Sequence, residues 1–378
     1  MTYLLLLCGC VSGDYAADTL ARLRQALPAP SDTEGWGALI DVADKAGLAP
    51  AFWLAMESKD LLGMMPQALR SALQRRHMMN MMRNERIRAQ GLDVIAICER
   101  LGVAPTILKG GAALFESPPE LIGRRFMWDL DFLLPADAVE PVAQAMIAGG
   151  FKVTEEPNDD WVYTYPAMRR KGDVSDIELH HRVGQQRSLL SAATALRDAL
   201  PIPREPRLRT LSPTHRVWHN IFHSQVQDQG HVLGLIRARQ LVDLEHICRT
   251  HAGDIDWPAL ERLMRGAGMH GVLRARLHQA QQLVGLPWPL AEPPGLAARM
   301  HHRHAVSLLT SPRTMAVTQS LRALTAPFKK HHIDLIYGCG IRNPLKLALA
   351  RLRHARVIAS RHRGRLLDRL LLKRRFNT

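Results

Sequence analysis

The chain reads as an α+β protein, a small mixed sheet embedded between an N-terminal and a C-terminal helical region. Three observations predict this. Residues 102–185 break into short runs with strand character, divided by Gly and Pro. The stretches on either side read as helical. One of the short runs, Asp129-Leu130-Asp131-Phe132-Leu133-Leu134, alternates acidic and apolar positions. As a strand it points both aspartates to one face and Leu130, Phe132 and Leu134 to the other, into a core.

The elements follow in chain order. The apolar run 4–10 has no positively charged residues before it and acids, Asp14 and Asp18, soon after it. It is therefore read as an N-terminal helix and not as a secretory signal. Helices are expected over 16–27, 37–46 and 66–101. The last has Pro66 at a first-turn position and a stop at Leu101-Gly102. Its cluster Met78, Met79, Met81 and Met82 is read as core packing in preference to a soft binding surface. A strand over 103–108 leads into a helix over 110–115. A loop with Pro118, Pro119 and Gly123 precedes the aspartate strand. A helix over 138–148 ends at Gly149-Gly150, a strand covers 151–155, and two antiparallel strands cover 161–168 and 174–183. From Ser188 onward the pattern reads as helical, over 213–227, 232–250, 257–267 and 272–283. The Pro-rich stretch 286–295 is a linker, followed by helices over 296–324 and 345–372. The domain reading is a helical region 1–101, an αβ core 102–185, a helical domain 186–285, a linker and helical segment 286–341, and a basic amphipathic tail 342–378.

Composition bounds the partners. The apolar fraction of 47% and charged fraction of 22% are those of an ordinary globular protein. The net charge is +15, and residues 342–378 hold twelve Lys or Arg against the single acid Asp368. A tail of that charge, with Leu345, Leu347, Leu349, Leu352, Val357 and Ile358 among the cations, suits an anionic lipid surface or nucleic acid. Five scattered cysteines (Cys8, Cys10, Cys98, Cys248, Cys339) describe no disulfide framework. No apolar run approaches the ~20 residues of a membrane span. A cytoplasmic protein is expected, with peripheral contact to a membrane left open.

The chemistry concentrates in a few residues. Asp129 and Asp131 would sit roughly 7 Å or less apart on one face. Two such charges repel unless a cation lies between them, and a divalent metal is the usual occupant. The run Asp176-Ile177-Glu178-Leu179-His180 repeats the alternation, with Asp176, Glu178 and His180 on one face. Beside the aspartate strand it would supply a third carboxylate, with Asp176 a rival to Glu178. Two Mg²⁺ about 3.5–4 Å apart would bridge such carboxylates to a triphosphate. The N–H groups of Gly110 and Gly111, at a helix start, would hold phosphate oxygens where a side chain would keep them away.

Leu108-Lys109-Gly110-Gly111, Arg125-Phe126-Met127-Trp128-Asp129-Leu130-Asp131 and Glu178-Leu179-His180 resemble the bacterial uncharacterised nucleotidyltransferase family, within the polymerase-β-like superfamily. That family typically reads Lys-Gly-Ala, Arg-x-x-x-Asp-x-Asp and Asp-x-His. Asp243-Leu244 and Asp254-Ile255-Asp256-Trp257 resemble its helical half. The likeness covers 105–185 well and 186–285 loosely. It implies that the mixed-sheet core is a nucleotidyltransferase core, with Asp129, Asp131 and Glu178 as metal ligands and catalytic residues. Glu178 stands where the family more often has Asp. The resemblance also implies Lys109, Gly110, Gly111 and Arg125 as nucleotide contacts, with Arg124 an equal rival to Arg125. His180, His223 and Asp243 are expected to support them. His215, His219 and His223 share one helical face, but no carboxylate or cysteine completes a zinc spacing. The implied activity is Mg²⁺-dependent transfer of a nucleoside monophosphate from an NTP to an unknown hydroxyl on a protein, small molecule, sugar or RNA. The alternative is an inactive scaffold or regulator that binds nucleotide or an anionic partner.

Overall fold

Seven strands form one mixed sheet in the order β3-β4-β5-β2-β1-β7-β6. The strands are β1 (Thr106–Ile107), β2 (Asp129–Leu133), β3 (Phe151–Val153), β4 (Met168–Arg170), β5 (Asp176–His180), β6 (Leu200–Ile202) and β7 (Glu205–Thr210). Strands β2 and β5 run parallel, as do β1 and β7, and the other pairs are antiparallel. The computed structural model describes residues 2–13, 16–154, 164–184, 190–310, 333 and 344–356.

Helices flank the sheet. Before β1 come α1 (Tyr3–Val11), α2 (Ala17–Ala26), α3 (Thr33–Lys45), α4 (Ala49–Ser58) and the long α5 (Gln67–Arg100). Within the sheet region lie α6 (Lys109–Glu116), α7 (Ala136–Ala148) and α8 (Ala192–Arg197). After it come α9 (Pro213–Ile221), α10 (Gly230–Leu233), α11 (Ala238–Thr250), α12 (Trp257–Gly266), α13 (His270–Val284) and α14 (Leu296–Thr310). None of the described helices is long and apolar enough to cross a membrane.

Two hydrophobic cores follow from the alternation in β2. Leu130, Phe132 and Leu134 are fully buried, with Ile177, Leu179, Val94, Phe115 and Met146, in a core between the sheet and α5, α6 and α7. Leu133 and Leu108 belong instead to a second core, built mainly from α1, α3, α4, α9, α11, α12 and α13. The face of β2 that carries the aspartates is therefore the face turned toward the helical half. The N-terminal apolar run is a helix, as expected, burying Leu6, Leu7, Cys8, Cys10 and Val11. Cys8, Cys10, Cys98 and Cys248 are buried free thiols, each pushed up to about 12 by burial.

Several expectations are corrected. The stretch after Ser188 is not wholly helical, because β6 and β7 form a hairpin that joins the sheet through β1. Pro201, Pro203 and Pro206 hide its alternation, since proline marks a strand only near a sheet edge. The strand paired with β5 is Met168–Arg170, later than expected, with Thr164 making a separate bridge to His180. Residues 155 and 161–163 lie outside the described residues. Helix α4, opened by Pro50, was not anticipated. The helix expected over 232–250 is split after α10 by Gly234 at φ +66. The methionine cluster is not core: Met78, Met79 and Met82 are exposed, at 50%, 69% and 67%, and only Met81 packs against the sheet core. The helices expected over 296–324 and 345–372 are described only as Leu296–Thr310 and 344–356.

What positions the aspartate strand is α5. Asn80 Nδ2 donates to the carbonyls of Gly123 and Arg125, at 2.8 and 3.0 Å, and Asn84 Nδ2 to those of Ile122 and Arg125, both at 2.7 Å. Gln90 Nε2 donates to Ser175 O at 2.7 Å, beside the start of β5. Arg83 donates to the carbonyls of Met127 and Val174, bridging the chain entering β2 and the chain entering β5. Buried amides and one guanidinium thus stand in for a strand pairing that the 122–128 loop lacks. Replacing Asn84 by Ala leaves the Ile122 carbonyl buried without that donor. A loss of about 1–3 kcal/mol is expected in denaturant unfolding, and an unshifted midpoint would refute the clamp.

Candidate metal and nucleotide site

The parallel register places Asp131 directly opposite Glu178, and Asp129 opposite Asp176. Asp176 does not join the group. It accepts from Arg169 Nη2 at 2.6 Å and Nε at 2.8 Å, so the choice between the two acids falls to Glu178. Among the described residues, one group of three brings possible ligand atoms within 4.8 Å of one another: Asp131, Glu178 and His180. Asp129 sits two residues along the same face, just outside that group. His180, expected as a supporting residue, is inside it.

Asp131 is the electrostatic centre. It is 2% exposed. Lys109 Nζ lies 2.6 Å from Oδ1 and His180 Nε2 2.8 Å from the same oxygen, while His180 Nε2 is 3.3 Å from Glu178 Oε2. Burial opposes the charge on Asp131, but Lys109 and the His180 hydrogen bond outweigh it and hold the carboxyl far below its ordinary range. Asp129 goes the other way: burial first, then repulsion from Asp131, raises it. Two carboxyls on one strand are thus driven apart in acidity. Burial pulls Lys109 and His180 down, yet the surrounding carboxylates raise both.

Lys109 reaches this place by backbone strain. It opens α6 at φ +49, a left-handed conformation uncommon outside Gly, Asn and Asp and characteristic of functional sites. The two glycines that follow have tight-packing reasons to be glycine. A Cβ on Gly110 would overlap the Arg125 guanidinium, and one on Gly111 would overlap Ile107. The Gly111 N–H also donates to Leu108 O at 3.1 Å, within the turn itself.

Arg125 sits across Gly110 and binds Asp243 of α11 through Nε and Nη2 at 3.0–3.1 Å. Burial disfavours both charges, yet each partner sustains the other, raising Arg125 and lowering Asp243. Arg124 pairs with His246 Nδ1 at 2.8 Å. Each of the two arginines that sequence left as rivals thus holds the loop to α11. His246 is held down to about 4, by burial first and then by Arg124.

Part of this group borders an open cleft between the sheet and the helical half; Asp129 reaches its lining, while Asp131, Glu178 and His180 lie behind it. Lys109, Gly110, Arg125, Asp129, His223 and Asp243 from the sequence reading line it. So does His219, which the sequence reading put on one helical face with His223, and so do residues it missed, among them Trp128, Arg216, Arg239 and His246. His223 stands on a π-helical turn, Phe222–Gln227, a distortion often found at functional sites. Its Nδ1 is 3.3 Å from Asp228. His219 is buried, and burial followed by His223 and Lys109 keeps it neutral.

Asp131, Glu178 and His180 thus form a group whose donor atoms could hold a metal ion, beside a cleft lined by cationic side chains. The chain belongs to the uncharacterised nucleotidyltransferase family, whose model matches residues 32–285. No curated protein and no solved structure matches it.

Two outcomes test this geometry. Gly110→Ala is expected to expel the Arg125 guanidinium and lower unfolding free energy by about 1–3 kcal/mol. Unchanged stability in chemical denaturation would show that Arg125 does not rest there. His246 titrates near 6.5 unfolded and near 4 folded, so folding opposes its protonation. Its contribution is constant above pH 6.5, declines as pH falls from 6.5 to 4, and amounts to at most about 3 kcal/mol. The stability difference between the wild type and His246→Gln should change across that window and be flat above it.

Proposed function

We propose that the protein transfers a nucleoside monophosphate from an NTP to a hydroxyl acceptor in a Mg²⁺-dependent reaction. The observation that carries this reading is the β2–β5 register, which sets Asp131 and Glu178 side by side with Asp129 on the same face. The donor set fits the ion. Carboxylate oxygens suit hard Mg²⁺, Asp131 is ionised despite burial, and His180 donates to Asp131 and Glu178, orienting both as outer-shell partners do. Asp129, Asp131 and Glu178 would hold it, and when bound it supplies charge neutralisation and alignment of the phosphates.

The chain's own groups do the rest. The acceptor oxygen attacks the α-phosphorus, the bond to the bridging oxygen breaks, and pyrophosphate leaves. Glu178, the most accessible of the clustered ligands, accepts the acceptor's proton. Lys109 keeps Asp131 charged and lies beside the phosphate path. The exposed indole of Trp128 gives the base a face to stack on. Neutral His219 and the His223–Asp228 pair line the opposite wall. Most of the rate enhancement comes from positioning and electrostatics.

The tail supports an additional contact with an anionic partner, lipid or nucleic acid. In the described part, helix 344–356, Leu345, Leu349 and Leu352 are exposed on one side among Lys346, Arg351 and Arg353. A second reading, nucleotide binding without turnover, has one observation in its favour: Lys109 occupies Asp131 Oδ1 with its own charge.

Incubation with NTPs labelled at the α-phosphate, with Mg²⁺ and a cell extract as acceptor source, should transfer label. Asp129→Asn and Asp131→Asn should each reduce transfer about 100-fold or more. Calorimetry should show tighter Mg²⁺ binding with NTP present. Label transfer that survives Asp131→Asn would remove the metal site from the mechanism. Nucleotide binding indifferent to Mg²⁺, with no transfer, would favour the inactive reading.

A further inference from the structure

Four cationic side chains line the cleft: Lys109, Arg125, Arg216 and Arg239. Three are already engaged. Lys109 is on Asp131 at 2.6 Å, Arg125 is on Asp243 at 3.0 Å, and Arg216 Nη1 donates to Glu116 at 2.8 Å beside His251. Arg239 is different. Among the described residues no carboxylate lies within ion-pair distance of its guanidinium, and the guanidinium makes no hydrogen bond. It is nonetheless partly buried, at the first turn of α11, one helical turn before Asp243.

An unpaired guanidinium that is partly buried gives up part of its hydration and gains no partner in return. It has five donors and no acceptor, and the solvent that still reaches it is what an anion would displace. Burial first, then the like charge of Arg125, weakens its hold on its proton, while Asp243, Asp129 and Asp228 act in the opposite sense from a distance. The turn between α3 and α4 lies near its Cδ and Nη1. A Cβ at Gly47 would lie 3.6 Å from Arg239 Cδ and 3.8 Å from Nη1. The side chain therefore passes close to that turn with its donors unused, lining a cleft that Asp129 and Lys109 also line.

We infer that Arg239 is the oxyanion-binding residue of this cleft, and that its partner is the polyphosphate of the substrate. This rests on the nucleotidyl-transfer reading of the site and moves the phosphate contact away from the residues that sequence reading favoured. Gly110 is covered by Arg125, the Gly111 N–H is bonded within its own turn, and Arg125 is held by Asp243. A planar guanidinium matches two phosphate oxygens at once. A free phosphate ester on an acceptor would present the same chemistry, and only the length of the anion separates the two.

The test uses the full chain and sodium tripolyphosphate, which carries no base, with inorganic phosphate as the short-anion comparison. Isothermal titration without divalent metal should show tripolyphosphate bound to the wild type. Arg239→Gln should weaken it about tenfold to a hundredfold, Arg239→Lys should weaken it less, and the melting temperature should not fall, because no ion pair or hydrogen bond is lost. Inorganic phosphate bound as tightly as tripolyphosphate would reassign the contact to a phosphoryl ester and overturn the polyphosphate assignment. Wild-type binding that is absent, or unchanged in Arg239→Gln, overturns the proposal altogether. Failure of label transfer from NTPs, with Arg239-dependent tripolyphosphate binding intact, would remove the enzymatic reading and leave this assignment standing.

Discussion

A carboxylate as buried as Asp131 has to be neutralised where it stands, and the requirement shapes everything around it. Uncompensated burial of such a charge would cost several kcal/mol, a large share of the stability of an ordinary domain. One cation and one hydrogen-bonding imidazole from different parts of the chain meet the requirement. His180 comes from β5, which fixes the parallel register of β2 with β5. Lys109 comes from the β1–α6 turn, which forces a left-handed backbone at its own position. The alignment of three separate segments thus follows from the electrostatics of one side chain.

The same logic ties the sheet to the helical half. The 122–128 loop makes no strand pairing of its own, so its carbonyls are met by Asn80, Asn84 and Arg83 from α5. Its two arginines then reach across to Asp243 and His246 on α11. Gly110 is small because one of those guanidiniums passes directly over it. A glycine that looks like a phosphate cradle in sequence is here the seat of a structural ion pair. The cleft exists because Arg125 and Asp243 hold the sheet and α11 together at one side of it.

The aspartate strand and its partner were legible because alternation is a local signal. Asp129, Asp131, Glu178 and His180 could be assigned to one face, and Leu130, Phe132, Ile177 and Leu179 to the other, from spacing alone. The long α5 was legible from Pro66 and Gly102. What was not legible depends on contacts between distant segments. Nothing in Asp176-x-Glu178 says that Arg169 occupies the first acid and leaves the second. Arg125 and Arg124 are indistinguishable until α11 supplies Asp243 to one and His246 to the other. The β6–β7 hairpin was hidden by three prolines, and its place was set by the vacant edge of β1. The methionines of α5 misled because helical spacing does not reveal which face the sheet will cover.

Charge pairing also explains why the cleft has a direction. On the sheet side the carboxylates outnumber the groups that offset them, since Asp129, Asp131 and Glu178 have Lys109 and the imidazole of His180 beside them. Repulsion within that group raises Asp129, so the sheet side gains from any added positive charge. On the α11 side the balance reverses, because Asp243 is taken by Arg125 and Arg239 is left over. A ligand that brings a divalent cation to one wall and a chain of anionic oxygens to the other relieves both imbalances at once. Neither a bare metal nor a bare anion does so. The two walls are held in place by the Arg125–Asp243 ion pair, which belongs to neither imbalance, so the complementarity is set by the chain's own contacts.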